Sequence, residues 1–475
     1  MNTTNNSSNV TLAPETAGSR GHAVVLGGSM AGLVTARILS ERFARVTVIE
    51  RDSYPQTPGP RRGVPQGKHI HIVLARGRET LERLFPTFAS DLEQAGAVTF
   101  DYGRGAALHF GDSALAPFDS ELVVRGCTRP LLDFHIHKYV HALPNVTVRE
   151  GYKAVGLVVA PDDGTVVTGV RVKRDEEPEE IVSADLIVDA SGRASRAETW
   201  LEEIGYARPE ETTVDSGLTY ACRPYVPRDR APWAVLTAMP RAPHQPRSAA
   251  IFAVEGDRWL VCIASMGEDR PPTEDPGYLE FTRSLSSPVI YEALKTAVPD
   301  GPVIRSGTTQ NRLRHYERLS RLPDGFVLLG DAVCALNPLY GQGITVGTLA
   351  AVALGDAIDA QRARESQGDD AKGFSLRFQK QLAKQNRSAW MRATGADSGW
   401  PNTRSVPAKG PLEQWLGGLT QRAATGYAAR VMDAAVRDPA VAKTMMEISH
   451  MQRSMSAMLN PQFIYSSMNR GRGNS

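Results

Sequence analysis

The sequence predicts an α/β protein with a parallel-sheet domain built from separate segments, an inserted domain of mixed β-sheet, and a helical C-terminal region. Three observations support this class. The stretch from Val24 to Arg51 has the pattern of strand, glycine turn, helix and strand. A second pattern of strand, loop and helix begins at Asp324. Between them, "AAIFAVEGDRWLVCIASM" alternates like two strands around a Gly-Asp turn.

The composition favours an ordinary protein core and a small-molecule partner. Of the 475 residues, 41% are apolar, which suits two or three packed units. The net charge of +2 gives no general attraction to nucleic acid or to an anionic membrane. The four cysteines, Cys127, Cys222, Cys262 and Cys334, show no CxxC pairing, so we expect reduced thiols in a cytoplasmic protein and no structural metal site.

The N-terminal residues 1–20 are polar and show neither the basic nor the apolar region of a secretion signal. We therefore predict a flexible tail on a cytoplasmic protein. No run of eighteen apolar residues occurs, so the sequence predicts no transmembrane helix and no stable membrane insertion.

The first turn resembles a dinucleotide-binding fingerprint with one glycine replaced. Gly27, Ser29 and Gly32 occupy the places where the first residue permits a sharp turn, the second approaches a pyrophosphate and the third lets helix and strand pack closely. Serine is small and would donate a hydrogen bond to phosphate. The helix N-terminus adds unpaired N–H groups and a positive dipole end.

The second strand ends in an acidic residue followed by a basic one. Glu50 stands where a carboxylate would accept hydrogen bonds from an adenosine ribose and would repel a 2′-phosphate. This favours FAD or NAD over NADP, with Arg51 as a neighbouring candidate for cofactor contact.

The second motif, "LLGDAVCALNPLYGQGITVG", delivers Asp331 at the end of an apolar strand. Pro338, Gly341 and Gly343 form a loop whose N–H groups would lie against a flat ring. The helix that begins near Ile344 would stabilise negative charge on that ring through its dipole. Asp331 would hold a sugar or ribityl hydroxyl.

These motifs, together with "RRGVPQGKHIH" and "LIVDASGRASR", resemble the FAD-dependent monooxygenases related to para-hydroxybenzoate hydroxylase. The resemblance covers roughly residues 20 to 400 and is greatest to the branch of squalene epoxidases and polyether olefin epoxidases. It implies a Rossmann-type FAD domain. It also implies that O2 forms a flavin C4a-hydroperoxide that transfers one oxygen atom to a substrate carbon.

The resemblance also assigns cofactor contacts. It places Gly27, Ser29 and Gly32 at the pyrophosphate, Glu50 at the adenosine ribose and Asp331 at the ribityl or pyrophosphate region. Gly343 and Ile344 would meet the pyrimidine edge of the flavin. Arg62 and Arg129 match basic positions that contact the cofactor, although the sequence leaves open which of Arg61 and Arg62 points inward.

One position departs from the aromatic hydroxylases of this family. They carry Ala-Asp-Gly where this chain reads Ala190-Ser191-Gly192. The missing carboxylate is linked to the handling of reduced nicotinamide, so electrons would come from NAD(P)H either directly and briefly or through a partner flavin reductase. The departure points toward the epoxidase-like branch.

The oxygen-transfer pocket needs polar donors and exclusion of water rather than a catalytic triad. Gln66 and His69 are the catalytic candidates because they lie in the matched "QGKHIH" stretch, where a polar group would retain a proton on the oxygen donor. His137 and His141 share one helix face, but the spacing does not indicate a metal site.

The predicted domains follow from these motifs. They are a tail at 1–20, an FAD domain at 21–100, 125–205 and 300–360, a substrate-binding sheet domain at 101–124 and 206–299, and a helical C-terminal region at 361–475 with amphipathic helices expected over 415–436 and 444–463.

The leading functional hypothesis is epoxidation of an alkene in a lipophilic polyketide or terpenoid, a secondary-metabolite or antibiotic intermediate. The alternative within the family is hydroxylation of an aromatic ring. Three further alternatives are reduction of prenyl chains without O2, flavin-dependent halogenation, and a cyclase in which the flavin is not a redox group. No pair among the six tryptophans has the Trp-x-Trp spacing of the halogenases.

Overall fold

The computed structural model describes residues 21–111, 113–162, 164–368, 372–406 and 426–468. Its strands, in chain order, are β1 (His22–Leu26), β2 (Arg45–Glu50), β3 (Val98–Asp101), β4 (Ala106–Phe110), β5 (Ser113–Ala114), β6 (Val123–Gly126), β7 (Val146–Glu150), β8 (Lys153–Val159), β9 (Val167–Lys173), β10 (Glu180–Ser183), β11 (Leu186–Asp189), β12 (Glu211–Asp215), β13 (Thr219–Val226), β14 (Val235–Ala238), β15 (Ser248–Val254), β16 (Arg258–Ser265), β17 (Val298–Pro299), β18 (Ile304–Ser306), β19 (Asn311–Arg314), β20 (Phe326–Leu328), β21 (Cys334–Ala335) and β22 (Arg404–Val406).

The helices are α1 (Met30–Ser40), α2 (Ala75–Leu84), α3 (Phe88–Gln94), α4 (Tyr102–Gly105), α5 (Arg129–His141), α6 (Ala197–Glu203), α7 (Gly277–Arg283), α8 (Val289–Leu294), α9 (Gly343–Ser366), α10 (Phe374–Asp397), α11 (426–435), α12 (Pro439–Ser449) and α13 (Pro461–Met468).

A five-stranded parallel sheet in the order β20-β11-β1-β2-β7 forms the first domain. Strand β1 is buried along its whole length, as expected of a parallel strand covered on both faces. The strand, turn and helix predicted from Val24 onward are present as β1, α1 and β2. Because all strands run the same way, the turns after β1, β11 and β20 meet at one edge of the sheet.

Helices α1 and α9 pack closely because small residues face each other. A Cβ added at Gly355 would lie 2.7 Å from Ile38 Cγ2, and one at Gly347 would lie 3.2 Å from Ala31 Cβ. Helix α9 is the one helix of the described chain long and apolar enough to span a membrane, and 67% of its apolar window is buried inside the protein. It serves here as a core helix against α1, α2 and α10.

An eight-stranded mixed sheet forms the second domain. Its order is β17-β13-β16-β15-β14-β4-β5, and β18 also pairs with β13. The hairpin predicted around the Gly-Asp turn is confirmed as antiparallel β15 and β16. One sheet face is covered by α7 and α8 through Tyr278, Phe281, Ile290 and Leu294. On the opposite face, Tyr220 lies against His69 of the segment after β2, and Ala106, Leu108 and Val235 pack against the C-terminal helices.

The C-terminal region covers the side of the molecule. Val431 and Ala434 of α11, Met446 of α12 and Phe463 of α13 pack with Ala106 and Leu108 of β4. The helix predicted over 415–436 lies partly outside the described residues. The segment 444–463 is not one helix as predicted, because α12 ends at Ser449, Met451 takes φ +59°, and only a short 3-10 helix (Met455–Leu459) precedes α13. Strand β22 departs from the helical prediction because its backbone pairs with β12 at the edge of a small sheet.

Candidate functional site

The turn after β1 brings backbone very close to the neighbouring strand ends. Gly27 has φ +97°, and a Cβ there would lie 2.8 Å from the carbonyl oxygen of Ala190. A Cβ on Gly32 would lie 1.8 Å from the carbonyl oxygen of Gly27. Only glycine fits these two places, so the first and last positions of the predicted fingerprint have the packing roles expected of them.

Ser29 stands at the N-cap of α1, but its side chain makes no capping hydrogen bond. Its hydroxyl instead accepts a hydrogen bond from Arg129 Nη2 at 2.9 Å. Arg129 is 5% exposed and is also fixed by Asp133 Oδ1, 2.5 Å from its Nε. No acidic residue lies in the first turn of α1, so the unpaired N–H groups and the guanidinium form a positive site for a phosphate.

Arg129 reaches this place because of local sequence. Helix α5 begins at Arg129 with Thr128 as its N-cap, whose side chain accepts from the Leu131 N–H, and with proline in the first turn. The start of α5 therefore lies beside the start of α1, which the sequence predicted only through the resemblance.

Glu50 supports the glycine turn directly. Its Oε2 accepts a hydrogen bond from the Gly28 N–H at 2.6 Å, and its Oε1 accepts from the Asp52 N–H at 2.8 Å. Arg61 Nη2 lies 3.0 Å from Glu50 Oε2. Arg61 Nη1 also donates to the Gly28 carbonyl oxygen at 2.9 Å. With Glu50 only 5% exposed, contact with an adenosine ribose remains a prediction.

Between Arg61 and Arg62, the structure turns Arg61 inward. Arg61 is 8% exposed and its guanidinium lies 4.1 Å from the Tyr54 ring, which in turn stacks on His137 at 3.7 Å. Arg62 is exposed, as is Arg51. The loop buries Arg61 against two carboxylates, Glu50 and Asp52, so Arg61 is the arginine that points inward, and contact of the exposed Arg62 with the cofactor stays a prediction.

Asp331 projects from the turn after β20 with its side chain 43% exposed. Arg193 Nε lies 3.9 Å from its Oδ2, and Arg129 and Arg312 also act on its charge. An accessible carboxylate at the carboxyl edge of a parallel sheet can accept hydrogen bonds from sugar hydroxyls. Sequence analysis missed Arg193, although it directly follows Gly192 in the quoted "DASGRAS" motif.

The loop from Pro338 to Gly341 is held from behind by a buried carboxylate. Asp397 of α10 is fully buried and accepts from Asn311 Nδ2 at 2.6 Å, from Asn337 Nδ2 at 2.9 Å and from the Tyr340 hydroxyl at 2.6 Å. Gly341 has φ +63°, and α9 begins at Gly343. No motif in the sequence linked Asp397 to this loop.

Ser191, the residue in place of the family's acid, is bound to its own strand. Its hydroxyl and N–H both donate to Asp189 Oδ1, and the Ser195 hydroxyl donates to Asp189 Oδ2 at 2.6 Å. Asp189 is fully buried, and desolvation raises the pKa of its carboxyl against the lowering effect of these hydroxyls. Asp189 therefore braces the turn and does not face the site.

The segment that carries the two catalytic candidates separates them. Gln66 is exposed, whereas His69 is 4% exposed and lies edge-on to the Tyr220 ring at 4.7 Å. A Cβ added at Gly341 would lie 2.4 Å from Ile72 Cγ2, so the same segment also contacts the loop. The segment that carries Gln66 and His69 therefore lies between the loop and the mixed sheet.

An apolar cluster packs where the mixed sheet meets this loop. Its buried members are Leu218, Tyr220, Cys222, Ala264, Met266 and Trp400, and Cys262 and Leu339 are partly buried against them. Leu339 belongs to the loop before Gly341, so the loop packs directly against the apolar cluster. Tyr220, Cys222 and Trp400 were not predicted as site residues.

The histidines of α5 serve other contacts. His137 stacks on Tyr54, and its ring centroid lies 5.5 Å from that of His141. Among the described residues, no group of three or more His, Cys, Asp or Glu side chains is arranged to hold a metal ion.

The site residues fit the dinucleotide that the sequence resemblance implies. The cradle at Gly27 and Gly32 leaves room only for backbone, and Arg129 with α1 supplies donors for a diphosphate. Within the described chain, the buried Oε1 of Gln342 and Nδ1 of His69 have no hydrogen-bond partner. These two atoms lie beside the loop and the apolar cluster, where each would form a hydrogen bond with the polar edge of a bound ring.

The sequence comparisons identify two similar proteins. Protein Rv3254 of Mycobacterium tuberculosis is 30% identical over 441 residues, covering 89% of this chain and 88% of the relative. Flavin-dependent halogenase armH1 of Armillaria mellea is 22% identical over 377 residues, covering 75% of this chain and 68% of the relative. No family model matches the chain.

Solved structures share the fold. A flavoprotein/dehydrogenase from Cytophaga hutchinsonii has a TM-score of 0.63 at 14% identity, covering 94% of this chain and 96% of its own. The flavin-dependent brominase Bmp2 has a TM-score of 0.58 at 17% identity, covering 79% and 89%. PqsL of P. aeruginosa, solved with 2-aminobenzoylacetate, has a TM-score of 0.58 at 14% identity, covering 79% and 96%. The predicted Rossmann-type domain with an inserted sheet domain is thereby confirmed.

Proposed function

Because this chain belongs to the same family as Protein Rv3254 of Mycobacterium tuberculosis and has the fold of flavin-dependent halogenases and monooxygenases, we propose that it is an FAD-dependent monooxygenase. We propose further that it epoxidises an alkene in a lipophilic polyketide or terpenoid. The observation that carries the proposal is the packing of Leu339, from the Pro338–Gly341 loop, against the apolar cluster on the mixed sheet.

FAD would supply the activation of O2 and the transfer of one oxygen atom to the substrate. The chain would hold its diphosphate with Arg129, Ser29 and the N-terminus of α1. The Asp331 carboxylate would accept hydrogen bonds from hydroxyls of the ribityl chain or ribose. The pyrimidine edge would meet Gly343, Ile344 and the N-terminus of α9, whose dipole stabilises negative charge there.

The apolar cluster supports a lipophilic substrate. An alkene bound between the loop and the mixed sheet would lie against Leu218, Met266 and Trp400, and Met266 would adapt to its shape because its thioether chain is unbranched. Such a position would exclude water from the reacting carbon. Tyr220, a member of the cluster, and His69, whose ring lies edge-on to Tyr220, would supply polar groups there. His69 would hold or deliver a proton to the oxygen donor.

The electron source and setting are part of the proposal. Ser191 replaces the acid that the resemblance links to nicotinamide handling, and its hydroxyl donates to Asp189. This arrangement supports delivery of electrons by a partner flavin reductase or by briefly bound NAD(P)H. We place the protein in the cytoplasm, where reduced nicotinamide is available.

The test is to purify the protein with FAD, supply NADPH with and without a flavin reductase, and add a terpenoid polyene such as squalene under ¹⁸O2. We expect substrate-dependent O2 consumption and a product that carries one labelled oxygen as an epoxide. A matched preparation of Arg129→Gln should lose FAD and product together. Product formation without O2, or with no bound flavin, would contradict the proposal.

A second candidate is halogenation, which is favoured by the similarity to the flavin-dependent halogenase armH1 and the flavin-dependent brominase Bmp2. The same assay with bromide or chloride distinguishes it because a halogenase gives a halogenated product that carries no ¹⁸O. Aromatic hydroxylation would appear as a labelled phenol when an electron-rich aromatic ring is supplied instead of the polyene.

A further inference from the structure

Two cysteines far apart in the sequence face each other within the apolar cluster. In the antiparallel pairing of β13 and β16, Cys222 is directly opposite Cys262, just as Tyr220 is opposite Ala264. Since side chains alternate along a strand, Cys222 and Tyr220 lie on the same face of the sheet, within this cluster. The residues between them, Ala221 and Ile263, point to the other face and pack against α7 and α8.

This placement is compatible with a disulfide. Directly opposed residues in antiparallel strands have Cα atoms about 4.5 to 5.5 Å apart. Disulfides span Cα distances of about 4.4 to 6.8 Å, so the backbone register already meets the requirement. Both sulfurs are free thiols in this structure, with Cys222 buried and Cys262 partly exposed.

The surroundings make the two thiols unequal. Burial raises the pKa of the Cys222 thiol, but the side chains of Cys262 and His69 stabilise its thiolate and lower the pKa below its ordinary value overall. Burial and the neighbouring Cys222 raise the pKa of the Cys262 thiol well above its ordinary value. A thiolate is the nucleophile in thiol chemistry, so these shifts favour Cys222 as the attacking sulfur and Cys262 as the resolving one.

The other two cysteines are different. Cys127 and Cys334 are buried, and desolvation raises the pKa of each thiol to about 12. They provide an internal reference because a buried thiol without a stabilised thiolate is inert.

The pair lies where peroxide would be released under the proposed function. Leu339 of the loop packs in the same cluster as Cys222 and Cys262. Under the proposed function, reduction of O2 by bound flavin in the absence of substrate would supply hydrogen peroxide. Peroxide formed at the loop would arise beside the cluster that contains the two thiols.

We propose that Cys222 and Cys262 are a peroxide-reactive thiol pair that forms an intramolecular disulfide. The Cys222 thiolate attacks one oxygen of hydrogen peroxide; the O–O bond breaks, hydroxide leaves and Cys222 becomes a sulfenic acid. The Cys262 thiol then attacks the Cys222 sulfur, the S–O bond breaks and water leaves. Two thiols are oxidised and one peroxide is reduced to two waters once the hydroxide is protonated. A dithiol reductant restores the pair.

Formation of the disulfide would change the apolar cluster as well as consume peroxide. It would fix β13 to β16 beside Tyr220 and replace the thiolate next to His69 with a neutral sulfur. The source of peroxide rests on the proposed function, whereas the reactivity of the thiol pair toward added peroxide does not.

The test uses the full-length protein in two arms. In the first arm, fully reduced protein receives hydrogen peroxide, is quenched with an alkylating reagent over a time course and is digested for mass spectrometry. We expect a peptide cross-link between Cys222 and Cys262, formed at least about tenfold faster than any oxidation of Cys127 or Cys334. Equal oxidation of all four cysteines would overturn the proposal. So would oxidation at other residues while Cys222 and Cys262 are both still recovered as alkylated thiols.

Two variants assign the order of steps. Cys262→Ser should accumulate a sulfenic acid on Cys222 that dimedone traps, whereas Cys222→Ser should leave Cys262 alkylated. The reverse pattern would overturn the assignment of the attacking sulfur. Far-UV circular dichroism of each variant shows whether it has folded. The cross-link in wild-type protein tests the thiol pair without any substitution.

In the second arm, the FAD-loaded protein is reduced under air without substrate, with and without catalase in solution. Formation of the same cross-link despite catalase supports capture before release. If the first arm gives the cross-link and the second does not, the thiol pair stands and peroxide formation at the flavin fails. If neither arm gives it, the thiol proposal fails whether or not flavin turnover is observed.

Discussion

Arg129 Nη2 donates a hydrogen bond to the Ser29 hydroxyl over 2.9 Å, joining the starts of two helices that come from different motifs. The contact explains why a serine is compatible with the place of the middle glycine in the fingerprint. The hydroxyl holds an arginine at the mouth of the turn, and both groups can turn toward a phosphate. With serine in place of glycine, the turn loses the close approach of its backbone to the phosphate and gains the positive charge of Arg129.

This relationship predicts a difference between two substitutions. Arg129→Gln should weaken FAD binding by about tenfold to a hundredfold because a charge-assisted hydrogen bond to phosphate is lost. Ser29→Ala should weaken it by less than about threefold, since Arg129 stays in place through Asp133. Titration of flavin fluorescence measures both dissociation constants. A larger loss for Ser29→Ala than for Arg129→Gln would contradict the assignment.

Asp331 gives a second prediction for the cofactor. Asp331→Asn should weaken FAD binding by about tenfold because an amide presents only one acceptor to the sugar hydroxyls and places an NH2 group near Arg193. The matched control is Asp359→Asn on the surface of α9, where the carboxylate pairs with Arg42. The control should leave the dissociation constant unchanged.

Gly32 tests the packing of the first turn. Gly32→Ala should destabilise the fold by about 3 kcal/mol or more, because its Cβ would lie 1.8 Å from the Gly27 carbonyl oxygen and backbone must shift. Gly395→Ala in α10 is the control, since a Cβ there meets no heavy atom of the described chain within 4 Å. The control should be stabilising by about 0.5 kcal/mol from helix propensity. Urea unfolding monitored by circular dichroism measures both.

Asp397 connects α10 to the loop at Asn337. Asp397→Asn should cost about 2 to 3 kcal/mol because the new amide donors would face the donors of Asn311 and Asn337 in a fully buried place. FAD binding should weaken in addition, since the loop from Pro338 to Gly341 loses its support. Asp356→Asn on the exposed side of α9 is the control. Unchanged unfolding and flavin affinity for Asp397→Asn would contradict the role.

His450 predicts how stability depends on pH. Its Nδ1 accepts from the Ala75 N–H at the start of α2, and burial, followed by Arg392, lowers the pKa of the imidazole from 6.5 to about 3. The unfolded chain therefore binds this proton more tightly than the folded chain. The contribution is complete above about pH 6.5 and is lost as the pH falls toward 3, at up to about 1.4 kcal/mol per pH unit.

The measurement compares wild type with His450→Gln, which retains an acceptor but does not titrate in this range. The difference in unfolding free energy between the two proteins should change with pH between 6.5 and about 3, in the direction of greater loss for the wild type. A difference that is independent of pH would show that His450 is not held neutral by the fold.

Local patterns in the sequence determined much of the fold. The strand, turn and helix at Gly27, the strand before Asp331, the hairpin around the Gly-Asp turn and the helix that carries His137 and His141 were all predictable because hydrophobic periodicity, glycine and proline act over a few residues. The same patterns placed Gly27 and Asp331 directly after strand ends and Gly32 in the first turn of the following helix, and the carboxyl ends of parallel strands meet at one edge.

The tertiary structure decided which distant residues contact each other. Side-chain direction in an irregular loop selected Arg61 over Arg62, and the antiparallel register of β13 and β16 brought Cys222 against Cys262. Asp397 reached Asn337 only because α10 packs behind the loop. Such contacts join residues distant along the chain, and their geometry is set by packing of the whole core, which no local pattern of one sequence encodes.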